Sequence, residues 1–414
     1  MKCRHCGQPL HLTFLDLGSA PPSNAYLSEA ALRAPEVWFP LRVLVCTHCW
    51  LVQTEDHAGR EALFTHDYAY FSSFSSSWLA HSRRYVDAMA ARFGLGPHSM
   101  VCEIAANDGY LLQYVKAAGI PCYGVEPTAS TAQAARERGI EIVQRFFGVA
   151  LGDELASTGR AADLIAANNV LAHVPDINDF VSGFAALLKP QGVATFEFPH
   201  LLRMVRENQF DTAYHEHYSY LSLTAVSRIF EANGLKVFDV EHLPTHGGSL
   251  RVYAQRLDTG LRDLTAEVAR TLDEERQAGM AGAAFYARFQ EQAERIKNDL
   301  LALLVELRRN GKRVAAYGAA AKGNTLLNFA GVRPDLLPYV VDLNPAKQGK
   351  YLPGSHIPIV TEEVLRQDQP EYIVVLPWNL KAEVAQQLAY ARDGWHAKLV
   401  TAVPRLAVDG GHDA

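Results

Sequence analysis

The chain has 414 residues, of which 49% are hydrophobic and 20% charged. That composition can bury a core and excludes a wholly disordered polymer, and the length accommodates two or three domains. Thirty-nine Lys and Arg against 45 Asp and Glu leave a net charge of −6, a poor footprint for a nucleic-acid binder, which needs a basic stripe to displace counterions from phosphates.

The N-terminus, Met1-Lys2-Cys3-Arg4-His5-Cys6, is polar at once and lacks the apolar segment of a signal peptide. No apolar run further along approaches the roughly 20 residues that cross a bilayer. Six cysteines are too few for a secreted disulfide scaffold. A cytoplasmic protein with no membrane and no nucleic-acid partner is expected.

Residues 1–65 differ from the rest and are too few to hold together on packing alone. Cys3-x-x-Cys6 and Cys46-x-x-Cys49 form two knuckles whose thiolates can converge on one tetrahedral zinc. With all four ligand places filled, the zinc is expected to be structural, and His5 and His48 to stay outside its shell. Between the knuckles, Pro21-Pro22-Ser23-Asn24 reads as a turn and Leu41 to Val45 as an apolar run. A helix is predicted from about Ser75 to Phe93, with Trp78, Leu79, Tyr85 and Met89 facing inward.

A first α/β block follows. Strands are predicted at Met100 to Ile104, Cys122 to Glu126, Leu164 to Asn168 and Gly192 to Phe198, the last closing the run. Helices between them, at Tyr110 to Ala118, Ala129 to Arg138 and Phe180 to Leu188, argue for a parallel, doubly wound sheet. Cys102 and Cys122 fall in its strands as core residues. The turn Glu103-Ile104-Ala105-Ala106-Asn107-Asp108-Gly109 joins a strand to a helix, where backbone amides meet a polar ligand. Glu126 ends the next strand, placed to accept hydrogen bonds from both hydroxyls of a ribose. A dinucleotide or S-adenosylmethionine would satisfy this pattern. The turn lacks Gly-x-Gly-x-x-Gly and sets acidic Asp108 where a pyrophosphate would lie, so a sulfonium cofactor is the better match. Asn168, Asn169 and His173 end a later strand at the same edge, where open sheets bind ligands.

Tyr214-His215-Glu216-His217 sets four titratable groups side by side. If extended, Tyr214 and Glu216 share one face and the histidines the other; if a turn, several converge. The spacing is not that of a His-Glu-x-x-His zinc protease, and an imidazole beside a carboxylate is the usual form of a tuned general base. From Leu261 to Asn310 proline is absent and long connecting helices are expected. A second α/β block then has predicted strands at Lys312 to Tyr317, Tyr339 to Asp342 and Tyr372 to Leu376, with the turn Gly318 to Gly323 after the first.

In their order these pieces resemble the sugar C-methyltransferases of deoxysugar biosynthesis, over nearly the whole length. The markers are the Cys3/Cys6/Cys46/Cys49 quartet, Tyr68-Ala69-Tyr70-Phe71-Ser72-Ser73, Glu103 to Gly109, His173, Tyr214 to His217, His246-Gly247-Gly248 and Gly318 to Asn324. Ala105 stands where the family often has glycine. The resemblance implies two Rossmann-like, doubly wound α/β domains plus a small N-terminal zinc-binding module. Its segments would be a zinc module at 1–65, an S-adenosylmethionine domain at 66–255, connecting helices at 256–310 and a nucleotide-sugar domain at 311–414.

The implied reaction is methylation by S-adenosylmethionine of a dTDP-linked 4-keto-6-deoxysugar at C3, through an enolate. The resemblance makes His217 the base, with Glu216 orienting it or setting its pKa, and Tyr214, His173 and Tyr68 bonding the keto oxygen and ring hydroxyls. The cofactor would be held by Glu103, Ala105, Asn107, Asp108, Gly109, Glu126, Pro127, Asn168 and Asn169. Lys322 and Gly323 suit a diphosphate and Asp342 a ribose or base edge; Tyr70, His246, Gly247, Gly248, Asn324 and Asn379 complete the expected sugar-nucleotide site. Lys347 and Lys350 read as a solvated loop at least as readily as a ligand site. The competing readings are an RNA-modifying methyltransferase and a non-catalytic nucleotide-sugar-binding protein.

Overall fold

In a computed structural model, which describes residues 1–57, 59 and 71–409, the alternating apolar runs resolve into three sheets. β1 (Leu12–Ala20), β2 (Phe39–Val45) and β3 (Val52–Thr54) form an antiparallel meander, and the second cysteine knuckle lies in the turn between β2 and β3. The predicted helix spans Ser76–Phe93; Ser75 accepts from the Trp78 amide at its start and left-handed Gly94 ends it. Tyr85 and Met89 are buried as expected, whereas Trp78 and Leu79 are only half-buried.

The middle sheet contains parallel β4 (Val101–Ile104), β5 (Cys122–Val125), β6 (Ile142–Val143), β7 (Ala162–Asn168) and β8 (Leu188–Pro199). The chain starts at β4, steps outward through β5 and β6, then crosses to β7 and β8 on the other side. The reversal leaves a crevice at the carboxyl ends of β4 and β7, the usual ligand position in such sheets. β8 does not close the run. A short β9 (Ser219–Tyr220) pairs with β3 of the first sheet, and β10 (Leu235–Leu243) and β11 (Ser249–Arg256) add an antiparallel hairpin beside β8. The order is β10-β11-β8-β7-β4-β5-β6.

The C-terminal sheet repeats the reversal. β12 (Val314–Tyr317), β13 (Val340–Val341), β14 (Ile359–Val360), β15 (Tyr372–Val375) and β16 (Lys398–Thr401) are parallel, with β17 (Ala407–Asp409) antiparallel, in the order β14-β13-β12-β15-β16-β17. The predicted connecting helices are present at Ala266–Gln277 and Phe289–Arg309. The second is more than a connector. Its Ile296, Leu300 and Leu304 are buried in one apolar cluster with Phe14 and Leu15 of β1 and Val314 and Val340 of the C-terminal sheet. Phe14 also stacks on Phe289 at 4.5 Å. The zinc module and the C-terminal sheet thus share a core, each buried Phe or Leu contributing roughly 1.5–3 kcal/mol. Among the described residues no helix is long and apolar enough to cross a membrane.

Candidate active site

A cavity of about 350 Å³ lies where the carboxyl edge of the middle sheet faces the turn after β12. Its first wall is the turn after β4. Ala105, Asn107 and Gly109 all adopt left-handed backbone there (φ 58°, 47° and 78°). Gly109 is obligatory, because a Cβ would stand 2.4 Å from the Ile140 side chain. Ala105 occupies the left-handed position at a cost of about 1–2 kcal/mol that glycine would avoid.

The Glu126 carboxylate braces this turn: Oε2 accepts from the Asn107 amide and Oε1 from the Thr128 amide, both at 2.9 Å. The Thr128 and Thr131 side chains also hydrogen-bond Glu126. Burial raises the Glu126 pKa and pushes that of Glu103, buried beneath the turn beside Tyr110, well above the usual range. Among the described residues the Oδ1 atoms of Asn168 and Asn169 are buried without a protein donor, and both residues line the cavity with Glu126 and Pro127. Unpaired acceptors of this kind call for a ligand bearing amino and hydroxyl donors. The set fits S-adenosylmethionine.

Asp108 departs from expectation. Its carboxylate takes the Ser73 hydroxyl and lies 3.4 Å from Arg138, and Arg138 also donates to the Asp108 carbonyl at 2.6 Å. Its Oδ2 therefore ties the start of the Ser76–Phe93 helix to the cofactor turn, while Oδ1 is buried with no partner among the described residues. Phe146 and Phe147 also line the cavity; as two apolar residues outside any motif, they carried no signal in the sequence.

The second wall is the stretch from Tyr214 to His217, which is a turn: the His217 amide donates to the Tyr214 carbonyl at 2.9 Å. His217 Nδ1 donates to the Thr212 carbonyl at 2.8 Å, leaving Nε2 as the acceptor for the Tyr214 hydroxyl at 2.7 Å. Burial, then the neighbouring His173 with its ring 4.6 Å away, pushes the His217 pKa well below its usual value. Burial also lowers His173 to about 4. Glu216 does not orient the imidazole. Both ring nitrogens are engaged elsewhere, and Glu216 Oε2 accepts from Asn24 Nδ2 at 2.7 Å. Burial without a cation raises its pKa to about 7. Tyr68 and Tyr70 lie outside the described residues.

The third wall comes from the C-terminal domain. Lys322, in the first turn of the Ala321–Ala330 helix, donates to Asn379 Oδ1 at 2.8 Å and lies over the Trp378 ring. Trp378 in turn donates to Asp211 at 2.8 Å. Lys347 is not a solvated loop residue: it lines the cavity with its side chain 14% exposed, 3.2 Å from Asp342. The Asp342 carboxylate is largely committed, since it also accepts from the amides of Ala319 and Asn344 at 2.8 Å. Gly323 serves packing, because a Cβ there would stand 2.6 Å from Leu376. Asn324 is buried behind it and does not line the cavity. His246 reaches the cavity from a left-handed turn (φ 54°), edge-on to Trp78 and held neutral by burial at about 4. Gly247 and Gly248 let that turn pass close to Trp378 and Arg203.

The zinc module also takes part. Asn24 lines the cavity, and the Tyr26 hydroxyl donates to the Ala319 carbonyl at 2.7 Å. In the sequence this stretch signalled only a turn. The four Sγ atoms of Cys3, Cys6, Cys46 and Cys49 lie within 4.8 Å of one another. Tetrahedral zinc with bonds of ~2.3 Å places sulfurs roughly 3.8 Å apart, so the quartet fits. His5 stays outside, its Nδ1 on Asn178 at 2.8 Å. Arg4 donates to the Pro175 carbonyl and the Thr54 hydroxyl to the His217 carbonyl, each at 2.9 Å. The knuckle thereby braces both the loop after β7 and the turn that carries His217.

Three family models match in sequence: a zinc-binding domain over residues 3–64, a methyltransferase domain over 78–240 and a C-methyltransferase C-terminal domain over 244–404. The chain is 36% identical over 383 residues to the C-methyltransferase NovU of Streptomyces niveus, covering 92% of this chain and 91% of that one. Among solved structures, magnesium protoporphyrin IX methyltransferase of Synechocystis, with bound SAM, matches 44% of this chain and 81% of its own, at 18% identity and a TM-score of 0.33. The 1,6-didemethyltoxoflavin-N1-methyltransferase of Burkholderia thailandensis matches 50% and 95%, at 17% identity and a TM-score of 0.35.

Proposed function

The chain belongs to the C-methyltransferase family and depends on S-adenosylmethionine, and from that premise we propose that it methylates C3 of a dTDP-linked 4-keto-6-deoxysugar. The observation that carries this reading is a buried, neutral His217 in one cavity with the acceptor-rich edge of the middle sheet and with two lysines of the C-terminal domain.

A carbon beside a ketone loses a proton to an enzyme base when the developing oxyanion is stabilised. The hydrogen bond from Nδ1 to Thr212 leaves the Nε2 lone pair on the Tyr214 hydroxyl at the cavity wall, through which a substrate proton reaches it, and burial keeps the ring unprotonated near pH 7. The electron pair of the C3–H bond becomes the C3–C4 double bond, the carbonyl pair moves to oxygen, and the proton goes to Nε2. Tyr214, already donating to Nε2, is the group nearest to guide that proton. S-adenosylmethionine, when bound, would supply an electrophilic methyl with a neutral thioether as leaving group. Glu126, Asn168 and Asn169 orient it, and their shared cavity with His217 supplies the proximity that makes such a transfer fast.

Purified protein incubated with methyl-labelled S-adenosylmethionine should label dTDP-4-keto-6-deoxyglucose and leave dTDP-glucose, which lacks the ketone, unlabelled. NMR of the product decides between C3 and C5. His217→Asn should lower transfer at least a thousandfold while both ligands still bind. Near-normal transfer by that variant, or label in no ketosugar, sinks the assignment.

A further inference from the structure

Three cations line the cavity, and they are not equivalent. Arg145 is engaged by Glu154, at 2.7 Å and 2.9 Å from its two oxygens. Lys347 is neutralised by Asp342 at 3.2 Å and further held by the Ala319 carbonyl at 2.9 Å. Lys322 has neutral partners only: Asn379 Oδ1 at 2.8 Å and the face of Trp378, 4.7 Å to the ring centre. Among the described residues no carboxylate lies within salt-bridge distance of its Nζ, and nearby Asp211 gives Oδ2 to the Trp378 indole. An amide oxygen and an aromatic face fix an ammonium in place without cancelling its charge.

The position matters as much as the charge. Lys322 shares the cavity wall with His217 and His246, and its charge is felt at both rings. A base acting at C3 must meet the ketone end of the sugar, because C3 and C4 are bonded. The diphosphate hangs from C1, across the ring from C4. One ammonium cannot hold both ends.

We infer that Lys322 is a catalytic residue: its ammonium holds the C4 oxygen as negative charge develops there, and the diphosphate is left to other groups. The inference rests on the ketosugar reading above. The step it assists is balanced: the C3–H pair enters the C3–C4 bond, the carbonyl pair goes to oxygen beside Nζ, and the proton goes to His217. Burial lowers the Lys322 pKa and the Asp211 charge opposes that shift; the protonated ammonium stabilises the oxyanion as a preorganised donor does and gives up no proton in the step.

The test separates proton removal from nucleotide binding. Each protein is incubated with dTDP-4-keto-6-deoxyglucose and S-adenosylhomocysteine in D2O, and deuterium entering at C3 is followed by mass spectrometry and NMR. Binding of dTDP alone is measured by calorimetry, and S-adenosylhomocysteine affinity reports that each variant is folded. Lys322→Met should slow exchange about a hundredfold or more at saturating sugar, with dTDP affinity within twofold. Lys322→Arg should recover part of the rate, and Asn379→Ala should lose about tenfold with dTDP affinity again unchanged. Normal exchange by Lys322→Met, or a loss matched by an equal loss of dTDP affinity, overturns the role of Lys322 alone. A wild-type enzyme that exchanges nothing in this sugar overturns the ketosugar reading and this inference together.

Discussion

At the carboxyl edge of the middle sheet, Glu126 follows β5 and accepts from the amides of Asn107, in the turn after β4, and Thr128, two residues on. At the same edge of the C-terminal sheet, Asp342 follows β13 and accepts from Ala319, in the turn after β12, and Asn344, two residues on. Each turn begins with a left-handed residue directly after its strand, Ala105 at φ 58° and Gly318 at φ 86°. The backbone plan is shared and the electrostatics differ. Asp342 is paired with Lys347, whereas among the described residues no cation pairs with Glu126. Glu126 is surrounded by neutral donors alone among the described residues, whereas Asp342 is spent on an ion pair. The charge within reach decides what each edge binds.

The largest expected effect comes from the left-handed positions. Gly318→Ala would force a Cβ to 2.5 Å from Pro377 as well as into a disfavoured φ, costing about 3 kcal/mol in thermal or denaturant unfolding; a neutral substitution would show that the two turns differ in plan. Next, Glu126→Ala should weaken S-adenosylmethionine binding about a hundredfold in calorimetry and dTDP binding less than twofold. Asp342→Ala should do the reverse, weakening dTDP about tenfold. If either variant damages both ligands equally, the edges are not separately specialised.

Glu216, at the seam between the edges, sharpens the contrast because it is a buried acid whose carboxylate is held by the Asn24 amide and, among the described residues, by no ion pair. Its folded pKa, raised from 4.5 to about 7, makes its contribution to stability fully present below about 4.5 and lost as pH rises through about 7. Glu216→Gln escapes that loss. Its unfolding free energy relative to wild type should climb by about 3 kcal/mol between pH 4.5 and 7.5 and then level off. A difference independent of pH would remove the burial argument. The smallest effect belongs to Ala105→Gly. Relief of left-handed strain is partly offset by greater unfolded-chain entropy, so a gain of at most about 1 kcal/mol is expected in denaturant unfolding. A loss would mean that the Ala105 methyl makes a packing contact worth more than the strain.

Local signals were legible wherever the chemistry is short-ranged. The two cysteine knuckles, the carboxylate ending β5, the Ser75 cap before the Ser76–Phe93 helix and the strand-turn-helix pattern of both sheets depend on neighbours within a few residues. The β10–β11 hairpin was not legible. β10 mixes buried and half-exposed positions, and a register shift between Val237 and Asp239 breaks its alternation. Lys347 resembled a solvated lysine because its burial is made by Tyr26 and Asp342, and Tyr26 is brought there by another domain. The tie of Asp108 to the Ser73 hydroxyl was not legible for the same reason: that hydroxyl comes from a segment 35 residues away.

By itself the sequence determined the family-level chemistry: which side chains carry charge, which thiols pair by spacing, and where each parallel sheet starts and turns. Tertiary structure decided which of those groups are still free to act. Asp342 is spent on the protein, Asp108 gives one oxygen to Ser73 and keeps the other unpartnered among the described residues, and His217 owes its basic Nε2 to the Thr212 carbonyl and to burial. Residue type sets what a group can do, but hydrogen-bond saturation and dielectric depend on long-range packing, and these settle what it does.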